Sequence, residues 1–335
     1  MTQTDEFATR TLPYRRELLA HCYRMLGSLD DAEDLVQETL LRAWRGYADF
    51  EGRASLRTWL YRIATNACLN ALEHSSRRVL PSGLTGPADH PDQLRGDADT
   101  VPWLQPIPDI LIEPESTDPA AIVATRHTTR LALIAIWQTL PPRQRAVLIL
   151  RDVLHWKATE VADLLDTTPT AINSTLQRAH ATLAAHTTDA DHITEPDDPA
   201  TRAILDRWAT AFASADMATL ATLLRSEAVW EMPPIPDWFR GRARILHLIA
   251  TQCPSRSSTV RMIPTAANGQ PAFAVYMNSE AHSIQVLTAT GSGIDRIVAF
   301  HGPNRFPPFG LPLTLGLPLP PDPTHQPREP LRQYR

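Results

Sequence analysis

Residues 157–186 read KATEVADLLDTTPTAINSTLQRAHATLAAH. Val161, Leu164 and Leu165 recur at helical spacing, a polar DTTP break follows, and Ile172 and Leu176 resume the period. A helix, a turn of about four residues and a second helix make the helix-turn-helix outline. The first apolar set would pack under Ile172 and Leu176. Thr170, Asn173, Ser174, Gln177 and Arg178 would then face outward, where a DNA major groove could meet them. Ordinary helical hairpins share this outline, so the segments around it must decide its use.

Working outward, ATRHTTRLALIAIWQTL (124–140) reads as one helix, and PPRQRAVLILRDVLHW (141–156) as another with Pro142 in its first turn. Further upstream, residues 13–78 read as helices. YRRELLAHCYRML (14–26) buries Leu18, Leu19, Cys22, Met25 and Leu26, and Gly27 and Ser28 end it. DAEDLVQETLLRAW (31–44) carries Ala32, Leu35, Val36, Leu40 and Ala43 on an inner face. Its neighbouring face holds Asp34, Gln37, Glu38 and Leu41, with Arg42 four residues after Glu38. That face is either solvated or the seat of another protein.

The third helix, ASLRTWLYRIATNACLNALEHSSRR (54–78), has Leu56, Leu60, Ile63, Ala64, Ala67 and Ala71 as its inner stripe. Trp59, Arg62, Asn66 and Asn70 share a second face, and Arg53 precedes them. An aromatic ring, guanidiniums and amides on one face suit single-stranded DNA: rings stack on bases, Arg neutralises phosphate and Asn reads base edges.

Charge is distributed in blocks that the net value of −5 conceals. Residues 50–78 hold five Arg against two acids, and residues 125–186 hold six Arg and one Lys against four acids. Between them, residues 79–124 hold eight acids against one Arg, with prolines that preclude a continuous helix. This acidic linker contains VPWLQPIPDILI (101–112), too apolar for a pure spacer. It is expected to lie against the basic faces around Arg53 and Arg62, or near Arg178, with WLQPIPD (103–109) anchored on the C-terminal part.

Beyond residue 187 the texture changes. DPATRAILDRWATAFASADMATLATLL (198–224) gives two helices, and AVWEM, STVRMI, AFAVYM, SIQVLT and RIVAF read as strands, with AANGQ and GSG as turns. Helices followed by an antiparallel sheet predict an α+β cone. The chain therefore divides into a helical bundle (7–78), a linker (79–123), a helix-turn-helix domain (124–187), a second linker (188–199), an α+β domain (200–310) and an extended Pro-rich tail (311–335). Three scattered Cys without CxxC spacing exclude a zinc site, so no metal and no cofactor is expected. The N-terminus lacks a signal core and no run reaches 18 apolar residues, so a cytoplasmic protein without membrane contact is expected.

The order DAEDLVQETLLRAW, RASLRTWLYRIATNACLNAL, LPPRQRAVLILRDVLHWKATEVADLL and AINSTLQRA resembles an extracytoplasmic-function (group IV) sigma factor of bacterial RNA polymerase. The resemblance covers residues 13–78 and 124–184. WLQPIPD and the extra domain resemble the sigma-G/sigma-J type, in which a SnoaL-like domain is fused behind the DNA-binding parts. The implied fold is two all-α sigma domains plus one cone-shaped α+β domain. The implied function is promoter-specific transcription initiation without enzymatic activity, modulated by the C-terminal domain. The implied partners are core polymerase, through its β′ clamp helices and β flap, and promoter DNA. A small ligand and an anti-sigma factor are further candidate partners.

By the same resemblance Asp34, Leu35, Val36, Gln37, Glu38, Leu41 and Arg42 contact the polymerase core. Arg53, Trp59, Arg62, Asn66 and Asn70 contact the −10 element. The helix-turn-helix from residue 158 to 177 and onward contacts the −35 element through Thr170, Asn173, Ser174, Gln177 and Arg178. Three positions depart from the family pattern: the usual turn Gly is Asp166, and two commonly basic positions are Asn173 and Thr175. Fewer cations imply weaker, less salt-dependent −35 binding. In the α+β domain Trp230, Glu231, Trp238, Tyr276 and His301 are candidates for a ligand pocket. Two rival readings are a SnoaL-like enzyme (cyclase, isomerase or hydrolase) with Glu231 as base, and a stand-alone helix-turn-helix regulator.

Overall fold

The computed structural model describes residues 3–52, 54–73, 76–113, 119–185, 199–252 and 258–316. The N-terminal bundle comprises α1 (Gln3–Thr11), α2 (Arg15–Leu26), α3 (Leu29–Gly46) and α4 (Leu56–Glu73). Helix α2 is buried without interruption from Leu18 to Leu26, so it is the axis on which the other parts pack. Gly27 ends it in the left-handed region (φ 69°), and Ser28 caps α3 by accepting from the Asp31 amide at 3.1 Å. Helix α1 lies partly upstream of the expected domain start and seats Phe7 between Trp44 and Tyr47, at 5.3 and 5.0 Å between ring centroids.

In α4 the buried residues are Leu60, Tyr61, Ala64, Thr65, Ala67 and Cys68. Ala71, expected on the inner stripe, is exposed. The buried arc is wider than one stripe and displaced, because α4 packs on α2 and α3 and also on α8 of the following module.

That module comprises α6 (Pro119–Thr129), α7 (Leu131–Trp137), α8 (Pro142–Leu148), α9 (Ala158–Leu164) and α10 (Pro169–Ala184), preceded by a short α5 (Asp109–Ile112). The single helix expected over residues 124–140 is broken at Arg130, whose ψ of 136° is extended. A π-turn (Ile149–Val153) continues α8. Thr168 caps α10 by accepting from the Ala171 amide, and Pro169 occupies its first turn.

The C-terminal domain comprises α11 (Pro199–Ala213), α12 (Met217–Leu223), β1 (Leu224–Met232), β2 (Ile235–Arg240), α13 (Arg242–Gln252), β3 (Val260–Ala267), β4 (Gln270–Met277), β5 (Glu280–Thr290) and β6 (Gly293–His301). The α+β architecture is as expected, with two additions the sequence reading lacked, β2 and α13. The sheet order is β2-β1-β6-β5-β4-β3. It is mixed rather than antiparallel, since β1 runs parallel to β6. Helices α11 to α13 cover one face, where Trp208, Phe212 and Leu248 join Trp230, Phe239, Leu287 and Ile297 in one apolar core. On the opposite face Ala272, Ala274, Tyr276, Ile284, Val286, Val298 and Phe300 belong to the same core as the helices of the bundle and the helix-turn-helix. The sheet is thus buried on both faces, and its second face is roofed by the rest of the molecule.

Candidate functional site

On the outer side of α3, Asp34, Gln37, Leu41 and Arg42 are exposed, and Leu41 keeps 57% of its surface in solvent. Glu38 pairs with Arg42 at 2.6 Å within the helix. Leu35 is half-buried. Val36, expected at the polymerase surface, is fully buried in the bundle core. It lies one residue from the outer stripe, and about 100° of helical rotation carries it inside.

On α4, Trp59 is half-buried and stacks on Phe50, 4.8 Å between centroids with planes 27° apart. It also lies over Gly46, where a Cβ would stand 3.4 Å from the indole. One ring face is therefore occupied by a loop phenylalanine that the sequence reading did not single out. Asn66 is half-buried and Asn70 exposed, while Arg53 lies outside the described residues.

Arg62 donates to the backbone carbonyl of Asp163, and its guanidinium stands 3.2 Å from the Asp166 carboxylate. Both partners belong to the helix-turn-helix. Asp166 occupies the left-handed region (φ 50°), the conformation that favours Gly and tolerates Asp. The residue that departs from the family pattern is therefore the one that meets Arg62. The expectation that the acidic linker covers Arg62 is corrected: Asp89 and Asp92 of the linker pair instead with Arg244 and His247 on α13, at 3.0 and 2.9 Å. Local reach explains this, since residues 82–95 run beside β2 and α13 and bond to Glu231, Trp238 and Asp237.

Thr170, Asn173, Ser174, Gln177 and Arg178 are all exposed on α10, opposite the buried Ile172 and Ala179. This α10 face is open, while the α4 face is partly closed. Behind α4, Tyr61 meets Trp156 at 5.4 Å. Buried Arg145 on α8 donates to the carbonyls of Met25 and Leu140 and to Gln138. Burial pushes its pKa down to about 10, so it stays charged and joins α8 to the end of α2.

The β3–β4 turn of the C-terminal domain is inserted into this assembly. Asn268 (φ 58°) accepts from the Ile107 amide at 3.0 Å and donates to Tyr23 Oη at 2.7 Å and the Thr129 carbonyl at 2.8 Å. Tyr23 Oη in turn donates to the Gln105 carbonyl at 2.7 Å. The Gly269 amide donates to Asp109 at 2.8 Å, and Gln270 accepts from the Leu131 amide at 3.0 Å. Three consecutive residues thereby bind α2, the linker and the α6–α7 corner. The same bonds explain the break at Arg130, because the Leu131 amide is satisfied by Gln270. Gly269 is required here: a Cβ would stand 2.2 Å from the Arg126 carbonyl oxygen. Burial raises the Asp109 carboxyl to about 6, against the lowering effect of the Gly269 amide.

The five candidate pocket residues do not converge. Trp230 lies in the helix-side core with Trp208 and Phe212. Glu231 and Trp238 are opposite each other on β1 and β2. Glu231 is fully buried, accepts from the Ser82 amide at 2.8 Å and pairs with Arg296 at 2.5 Å. Trp238 donates to the Thr85 carbonyl. Tyr276 packs on Phe306 and donates to the Pro312 carbonyl, so the start of the tail runs along this part of the sheet. His301 packs against His282, and burial lowers its pKa to about 3. The alternation of a strand, two residues per repeat, separates Trp230 from Glu231.

Among the described residues no helix is long and apolar enough to cross a membrane, and no three His, Cys, Asp or Glu side chains converge as a metal site. Cys22 and Cys68 are buried free thiols. Cys253 and residues 317–335 lie outside the described residues.

Comparison with known proteins adds identity to this geometry. Residues 12–78 match the family model for sigma-70 region 2, and residues 130–183 match that for sigma-70 region 4. The chain is 49% identical over 316 residues to the ECF RNA polymerase sigma factor SigG of Mycobacterium tuberculosis, covering 92% of this chain and 85% of the relative. It is 28% identical over 216 residues to SigJ of the same organism, covering 64% and 61%. The crystal structure of M. tuberculosis SigJ superposes with a TM-score of 0.58 at 22% identity, over 93% of this chain and 100% of that one.

Proposed function

The chain belongs to the extracytoplasmic-function family of RNA polymerase sigma factors, and from that premise we propose that its free form is a closed, self-masking state that core polymerase and promoter DNA must open. As a sigma factor it joins core polymerase and directs it to promoter DNA. Sigma factors as a family carry no catalytic step. The C-terminal domain of this chain then serves control rather than chemistry, a reading supported by the lock on Glu231 and the aromatic filling around Trp230. Its place of action is the cytoplasm, with the polymerase.

The contact of Arg62 with Asp163 and Asp166 carries the proposal. Arg62 cannot face a −10 phosphate while it faces the turn of the −35 reader. The exposed Arg62–Asp166 pair is itself weak, about 0–1 kcal/mol. The restraint comes from what lies behind it: the shared apolar core, Arg145, and the Asn268–Gly269–Gln270 turn that ties bundle, linker and helix-turn-helix to the sheet. The surface of Asp34, Gln37, Glu38, Leu41 and Arg42 stays open for the β′ clamp helices, so core binding would begin before the domains part. Leu35 sits at its rim. Thr170, Asn173, Ser174, Gln177 and Arg178 form the −35 surface, and Trp59, Arg62, Asn66 and Asn70 form the −10 surface, to which the sequence adds Arg53, outside the described residues.

The test is transcription in vitro with core polymerase on a cognate promoter, comparing the full chain with one lacking residues 198–335. The shortened chain is expected to bind core and to initiate at a higher level. Equal or lower initiation by a folded shortened chain overturns the closed-state reading. Glu38→Lys is expected to weaken core binding with the fold intact. Asn70→Ala is expected to spare core binding and impair promoter opening.

A further inference from the structure

A cavity of about 490 Å³ opens where three parts of the chain meet. Arg78 comes from the end of the bundle, residues 99–105 from the linker, and Pro233, Pro234, Phe300, Arg305 and His301, the one pocket candidate to line it, from the C-terminal domain. Its size is that of a small-molecule site, roughly 300–1,000 Å³. Trp103, Phe300 and the two prolines give it an apolar wall, with Trp103 and Phe300 otherwise buried.

Arg305 is the unusual group. Its side chain is only 30% exposed, and its one carboxylate neighbour, Asp30, stands 3.8 Å away, beyond hydrogen-bond reach. Asp30 is held elsewhere, accepting from Gln105 Nε2 at 2.7 Å. The guanidinium of Arg305 makes no hydrogen bond among the described residues, whereas Arg78 is committed to Asp31 and to the Trp103 carbonyl. Burial and the nearby Arg78 both lower the pKa of Arg305, so a second acceptor would relieve it. A planar guanidinium fork pairs best with a bidentate carboxylate.

We propose that this junction cavity binds a small planar organic acid, its carboxylate on Arg305 and its ring against Trp103, Phe300 and the Pro233–Pro234 turn. Asp30 and Asp99 beside it hold the affinity for an anion to a modest level. The walls come from bundle, linker and C-terminal domain together, so the complete site exists only in the closed chain. This part rests on the closed-state reading: a ligand of the closed form alone raises its population, about elevenfold at ten times its Kd, and lowers initiation.

The experiment uses the full chain and three probes, salicylate, benzoate and the neutral benzamide. Binding is read by ligand-observed saturation-transfer NMR, and initiation by transcription with core polymerase. The carboxylates are expected to bind and benzamide to bind at least about tenfold more weakly, the loss of one charged hydrogen-bonded pair. Arg305→Gln should abolish this preference, and Arg305→Lys, which keeps the charge but not the fork, should weaken it, both with unchanged circular dichroism. No carboxylate binding at millimolar concentration, or equal binding by Arg305→Gln, overturns the site. Arg305-dependent binding that leaves initiation unchanged upholds the site and overturns the closed-state reading. Raised initiation after deletion of residues 198–335 without any carboxylate binding does the reverse.

Discussion

On one face of the C-terminal sheet Trp208 lies 5.7 Å from Phe212 and 6.2 Å from Trp230, among aliphatic residues of α12, α13, β5 and β6. On the other face, the apolar residues of β4, β5 and β6 meet α2, the linker and α7, and a ring of buried hydrogen bonds centred on Asn268 fixes the register. The first contact is built almost entirely from the domain's own apolar side chains, with Ala88 and Leu94 of the linker at its margin. The second is apolar and polar at once, and its partners belong to other domains. Apolar burial is non-directional, whereas a buried polar network stabilises only one arrangement and costs free energy when half made. The two faces therefore differ in kind: one holds the domain folded, and the other joins it to the bundle, the linker and the helix-turn-helix.

Substitutions can separate these tasks. Trp208→Ala should have the largest effect, a loss of about 3–5 kcal/mol from a fully buried indole. It should unfold the C-terminal domain, as read by denaturant melting of near-ultraviolet dichroism, and release the sigma domains as a consequence. Gly269→Ala comes next. It forces an αL strain of about 1–3 kcal/mol and a clash with the Arg126 carbonyl. The C-terminal domain should stay folded and undock, and a weakening of about 2 kcal/mol would raise the open population about thirtyfold. Loss of α11–α13 protection in hydrogen exchange, in step with loss at the interface, would erase the distinction between the faces.

A smaller effect is expected of pH. Burial raises the Asp109 carboxyl to about 6 in the closed chain, above the usual carboxyl value of about 3.9 when it is freed. The closed state then binds the proton more tightly. Its stabilisation is complete below about pH 4, is lost as pH rises through about 6, and is flat above that. The full span is on the order of 3 kcal/mol, but only about 1 kcal/mol of it falls between about pH 5 and pH 7. Asp109→Asn keeps an acceptor for the Gly269 amide and removes the titration. Interface opening, followed by hydrogen exchange at Tyr23 and Leu131 between about pH 5 and pH 7, should become pH-independent in this variant. The smallest effect is that of Asp166→Gly, which removes the carboxylate partner of Arg62, leaves its bond to the Asp163 carbonyl and relieves the left-handed backbone. With an exposed pair worth about 0–1 kcal/mol, initiation should rise by no more than about fivefold. A larger rise would shift the restraint from the buried turn to the surface pair.

Much of this was legible in residue order. The helix-turn-helix was visible because its spacing and turn chemistry are local, and Thr170, Asn173, Ser174, Gln177 and Arg178 fall on the open face expected of them. The α3 stripe was visible for the same reason, apart from Val36, whose neighbours in sequence face the other way. The strands AFAVYM and RIVAF were recognised, yet their continuous apolar character carried a second message. Strands buried on both faces lose the alternation of a half-exposed sheet, and β4 and β6 are such strands. Strand β2 was missed because its PPIPDWFR segment begins with prolines at a sheet edge, where ladder donors are dispensable.

What residue order alone determined, then, were the elements and the surfaces set by helical period, capping and turn residues: the bundle, the reading helix, the polar stripe of α3 and an α+β domain behind them. Tertiary structure decided who meets whom. It paired Arg62 with Asp166 across 104 positions and put Asn268 on Tyr23 across 245. It sent Asp89 and Asp92 of the linker to α13 rather than to Arg62, and it divided the five pocket candidates between separate environments. Periodicity acts over a few residues through backbone geometry, so it can be read from the chain. Docking depends on shape, on buried hydrogen-bond partners and on which apolar faces remain uncovered after each domain has folded, and these are properties of the assembled surface.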